Sequence, residues 1–68
     1  MTDKEFRAKL IFLGFKPDRY KYIYMHKKNR KIWITVHTQS VSMSVRDIMY
    51  KQNIDYKYAL ELILTLDI

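Results

Sequence analysis

Apolar residues in the first fifteen positions recur at helical spacing. Phe6, Leu10 and Leu13 share one face, and Ala8, Ile11 and Phe12 widen it. Thr2 and Glu5 stand at capping-box spacing, where hydroxyl and carboxylate satisfy each other's backbone amides. Gly14 falls where a left-handed residue ends a helix, Phe15 can fold back on the last turn, and Pro17 prevents resumption. From Tyr20 the period drops to two. Tyr20, Tyr22, Tyr24 and His26 alternate with Lys21, Ile23, Met25 and Lys27. After Lys28 and Asn29, Ile32, Ile34 and Val36 alternate with Lys31, Trp33, Thr35 and His37. Two such runs around a short polar turn predict an antiparallel hairpin.

The pattern assigns Ile23, Met25, Ile32, Ile34 and Val36 to a face that packs on helices. It assigns the tyrosines, Trp33 and both histidines to the open face. A short third strand is expected near Thr38 to Val41. Ser44 and Asp47 repeat the capping-box spacing ahead of Val45, Ile48 and Met49, which predicts a second helix ended by a left-handed Asn53. Asp55 is then the N-cap of a third helix running to about Leu66. Its apolar face comprises Tyr56, Ala59, Leu60, Ile63 and Leu64. Leu62 and Leu66 fall outside that stripe, which suggests a homodimer or partner contact through this helix. The expected fold class is α+β: a small antiparallel sheet with helices on one face, in the order α-β-β-(β)-α-α.

Composition narrows what such a fold can do. Its 68 residues make a single domain, 1–68, near the lower limit for independent folding. There is no cysteine, so disulfides and cysteine-based zinc sites are excluded. The two histidines lack a carboxylate cluster nearby, and neither a metal nor a cofactor is expected. No apolar run reaches the roughly 18 residues of a membrane span. The charged start, Met1 to Arg7, lacks the apolar core of a secretory signal, so the expected location is cytoplasmic. The single glycine rules out a glycine-rich phosphate loop, and Ser40, Ser42 and Ser44 read as turn and capping residues. A small-molecule substrate is not expected.

Charge points elsewhere. The net charge is +6, and Lys16, Arg19, Lys21, Lys27, Lys28, Arg30 and Lys31 supply over half of the 13 basic residues. A field of this sign concentrates polyanions, although it also serves solubility. Tyrosines and Trp33 beside these cations form either a stacking platform for bases or simply cross-strand pairs that hold a hairpin together. The candidate nucleic-acid-binding residues are Arg19, Lys21, Lys27, Lys28, Arg30, Lys31, Tyr22, Tyr24 and Trp33. His26 and His37 are weak catalytic candidates. Both titrate near neutrality, both end strands, and hairpin pairing would bring them together as an acid/base couple.

Leu13-Gly14-Phe15, the strand Tyr22 to His26, the strand Arg30 to His37 and the segment Ser44 to Ile54 together resemble the HicA family of toxin ribonucleases. That resemblance implies a double-stranded-RNA-binding-like fold, an RNA target and a toxin–antitoxin setting. Ser44, Ile48 and Asn53 would stand for the family's Thr, Ile and final Gly, and His37 for its second histidine. Where the family carries Gly-Ser-His before the first strand, this chain has Asp18, Arg19, Tyr20 and Lys21. Lys21 falls at the catalytic histidine's place, and a lysine with a pKa of about 10.4 is a poor base near neutrality. The resemblance therefore implies an RNA-binding domain without the usual nuclease. The alternatives are a protein-interaction module, such as a phage or mobile-element inhibitor of a host protein, and an active endoribonuclease using His37.

Overall fold

The computed structural model describes residues 1–46 and 48–66, with Met49 by its backbone alone. The chain is α+β: α1 (Asp3–Phe12), β1 (Phe15–Pro17), β2 (Ile23–His26), β3 (Ile32–Val36), β4 (Val41–Val45), β5 (Ile48–Ile54) and α2 (Tyr56–Thr65). The five strands form one antiparallel meander in sequence order. No described helix is long and apolar enough to cross a membrane.

The capping box at Thr2 forms as the sequence predicts. The Thr2 hydroxyl accepts from the Glu5 amide at 3.2 Å, and the Glu5 carboxylate accepts from the Thr2 amide at 3.4 Å. Gly14 follows the helix at φ +99°, a conformation that side chains disfavour. Asp55 caps α2 by accepting from the Tyr58 amide at 2.7 Å.

The second helix expected over Ser44 to Asn53 is absent, and β4 and β5 occupy that segment. Val41, Met43 and Val45 alternate at strand period, and all five residues of β4 pair with β3, from Ile32 opposite Val45 to Val36 opposite Val41. A helix would have left that edge of β3 without backbone partners. Asn53 is left-handed as expected, at φ 53°, but it lies inside β5, where pairing with β4 is irregular. Asp47, the other half of the expected capping box, lies outside the described residues. The short strand expected after the hairpin is β4, which starts at Val41, where that strand was expected to end. Residues 37–40 form the turn before it, closed by the His37 amide on the Ser40 carbonyl at 2.8 Å.

Register also corrects the assignment of faces. Tyr24 lies opposite Ile34, which lies opposite Met43; Met25 lies opposite Trp33, which lies opposite Ser44. Tyr24 and His26 therefore join Ile32, Ile34 and Val36 on the helix-covered face, and Ile23 and Met25 move to the open one. That covered face meets Phe6 and Leu10 of α1 and Tyr56, Ala59 and Ile63 of α2 in one core. The Phe6 and Tyr56 rings stack at 4.8 Å. Leu62 and Leu66 are half-buried against the core rather than outside it, and Leu64 is the leucine left 70% exposed.

Candidate functional site

The meander gives the sheet two chemically different ends. One carries the β2–β3 turn, the β4–β5 turn and the C-terminus of α1, joined where the Lys27 amide donates to the Gly14 carbonyl at 3.0 Å. The other carries the β1–β2 loop, the β3–β4 turn and the N-termini of both helices.

At the first end, residues 27–31 turn tightly because side chains take up their amides. His26 Nδ1 accepts from the amides of Lys28 at 3.1 Å and Asn29 at 3.3 Å. Asn29 Oδ1 accepts from the Lys31 amide at 3.2 Å. The side chains of Lys27, Lys28, Arg30 and Lys31 are left exposed on an ordered frame. Arg46 joins them, because its amide donates to the Lys31 carbonyl at 2.9 Å. Among the described residues the only ion pair is Arg7 with Asp3, at the opposite end, so none of these cations is paired with a described carboxylate. Such a display attracts phosphates, since little conformational order remains to be imposed on the backbone.

Arg46 was missed because the capping-box spacing placed it in a helix. The alternation of Val41, Met43 and Val45 was the signal that could have placed it in a turn.

Trp33 lies on the open face, 37% exposed, with its indole N–H held by the Arg30 carbonyl. Beside it, Lys16, Asp18, Ile23, Met25, Lys27 and Arg30 line a shallow groove along the β1–β2 edge. The rest of the expected aromatic platform is divided. Tyr24 is 2% exposed inside the core and cannot stack on a ligand, because the register turns it toward α1. Tyr20 and Tyr22 are exposed, but with Arg19 and Lys21 they lie in the β1–β2 loop at the far end. That loop is organised by Asp18, whose carboxylate accepts from the Tyr22 amide at 3.1 Å and the Ile23 amide at 3.3 Å. Arg7 reaches from α1 to the Lys21 carbonyl and fastens the loop to the helix.

The histidines are not a couple. Ile23 lies opposite Thr35, so His26 and His37 sit at opposite ends of the hairpin. At about 3.3 Å per strand residue they are on the order of 15 Å apart. His26 is 5% exposed, edge-on to Phe15 at 5.0 Å, and its Nδ1 lone pair is spent on the turn. His37 is exposed, with Nε2 at 3.0 Å from the Ser42 hydroxyl, which also accepts from the Asn53 amide at 3.4 Å. The backbone beneath it is fastened by the Tyr56 hydroxyl, which lies 3.1 Å from the His37 carbonyl and 2.9 Å from that of Thr38. Burial pushes the Tyr56 phenol pKa up.

Among the described residues, no three histidine or acidic side chains gather as a metal site would need. Comparison with protein-family models, curated proteins and solved structures returned no match to this chain.

Proposed function

We propose that this protein is a small RNA-binding domain that holds its ligand at the basic end of the sheet and does not cut it. The observation that carries the reading is the group Lys27, Lys28, Arg30, Lys31 and Arg46, exposed on two adjoining turns with no described carboxylate paired to it. Phosphate contacts by such a group supply most of the affinity for a nucleic acid. Trp33 and the groove beside it continue the surface onto the open face. Binding rather than cleavage is supported by the separation of the two histidines and by Lys21 at the position where the HicA resemblance implies a catalytic histidine. Under that resemblance, the domain is a diverged toxin–antitoxin relative that has kept RNA contact and lost the nuclease, acting in the cytoplasm.

The test is a salt titration of RNA affinity. Three or four phosphate contacts predict a log–log slope of about −2 to −4, with Lys28→Glu weakening binding several-fold and flattening the slope. Affinity that does not respond to salt sinks the reading. A protein-interaction module is the second reading, favoured by the exposed Trp33 beside half-buried Ile23 and Met25 on the open face. A protein partner that stays bound after nuclease treatment, and is released by Trp33→Ala, would establish it.

A further inference from the structure

Phe12, expected to widen the apolar face of α1, is instead 90% exposed at its end, and the helix buries Phe6 and Leu10. It forms the rim of a cleft whose other walls are Gly14, His26, Lys27 and Lys28. The floor of this cleft carries an unused donor. His26 Nδ1 accepts two backbone amides, so the proton of the neutral ring sits on Nε2. Among the described residues Nε2 has no hydrogen-bond partner. No fully enclosed side-chain nitrogen or oxygen among the described residues lacks one, so Nε2 keeps some contact with solvent. Nε2 lies close to Gly14, where a Cβ would stand 3.1 Å from it and narrow the cleft further.

An imidazole N–H and two ammonium groups beside a free aromatic face suit a ligand with an anionic oxygen at one end and a planar ring at the other. We propose that this cleft is a subsite for one unpaired nucleotide of RNA. Its phosphate accepts from His26 Nε2–H and lies against Lys27 and Lys28, while its base stacks on Phe12. The proposal rests on the RNA-binding reading and sharpens it, because a base buried in a duplex offers no face to Phe12. The domain then prefers single-stranded segments or loops over continuous helix.

Fluorescence anisotropy with a 12-nucleotide single-stranded RNA, and with the same sequence as a blunt duplex, tests this at one salt concentration. Wild type should bind the single strand more tightly. Phe12→Ala should lose about tenfold on the single strand and little on the duplex. Because Phe12 is exposed, that variant should keep its fold, checked by circular dichroism. As a second measurement, uridine 5′-monophosphate should shift the NMR signals of both the His26 ring and the Phe12 ring, whereas inorganic phosphate should shift His26 alone. Unchanged single-strand affinity in Phe12→Ala, with Arg30→Glu still weakening it, overturns the subsite and leaves the RNA-binding reading standing. Failure of wild type to bind either RNA overturns both. Phe12-dependent binding to phosphatidylserine vesicles or to a phosphopeptide, without Phe12-dependent binding to RNA, also overturns the subsite.

Discussion

The loop 18–22 and the turn 27–31 are built by one device with two different acceptors. In each, a single side-chain atom takes two consecutive amides: Asp18 Oδ1 those of Tyr22 and Ile23, His26 Nδ1 those of Lys28 and Asn29. Asp18 brings a negative charge into its loop, where Arg19 and Lys21 are the cations. His26 accepts through a ring nitrogen instead of a carboxylate, and the cations around the second turn are paired with no described carboxylate. The two turns thus differ for an anion in that the first holds a carboxylate at its centre and the second does not. Position in the meander adds to the contrast. The Asp18 loop is tied to α1 beside the acidic Asp3, and the His26 turn meets Arg46 from the next hairpin.

The largest expected effect breaks the His26 end from below. Gly14→Val puts a branched side chain at φ +99° and presses its Cβ on the imidazole. It should cost about 1–3 kcal/mol in urea unfolding, a penalty typical of such backbone strain. Lys21, at φ 61° in the opposite loop, should respond the other way, with Lys21→Gly neutral or slightly stabilising.

Charge reversal comes next. Arg30→Glu should lower RNA affinity about tenfold, since it removes one phosphate contact and adds repulsion, whereas Arg19→Glu should change it less than about twofold. Equal losses at both ends, measured at matched salt, would dissolve the comparison.

A smaller effect separates charge from hydrogen bonding at Asp18. Asp18→Ala should destabilise by about 1 kcal/mol through the two orphaned amides, while Asp18→Asn keeps an acceptor and should recover most of it.

The smallest effect concerns acid. The Glu5 carboxyl is held below its ordinary pKa, first by the Thr2 hydroxyl and then by the Thr2 amide. Its pKa is depressed in the folded state, so its contribution is present above the unfolded value. It is lost as pH falls through the folded one. The drop in Tm between pH 6 and pH 3 should therefore shrink slightly in Glu5→Gln.

Much of this architecture is legible in the residue pattern. The α1 boundaries follow from Thr2, Glu5 and Gly14, the hairpin follows from alternation around Asn29, and the start of α2 follows from Asp55. These features rest on contacts within a few residues. The segment from Ser44 to Asn53 misleads because Ser44 and Asp47 imitate a helix start, while pairing makes it strand: Ser44 and Val45 against Trp33 and Ile32 of β3, and β5 against β4. The candidate site divides in the same way. The cluster Lys27 to Lys31 is visible as a run of charge, yet an aromatic platform read from alternation alone is split by the register of the first two long strands.

By itself the sequence determined the α+β class, the Thr2 and Asp55 caps, the turn around Asn29 and the excess of positive charge, because each depends on neighbouring residues or on composition. Only the tertiary structure decided that Tyr24 and His26 face the helices, that His37 stands far from His26, and that Arg46 joins the basic end. Strand alternation defines two faces without saying which one the helices cover. That choice is made by pairing Tyr24 with Ile34 and Phe15 with His26, and by the burial of those residues under α1 and α2.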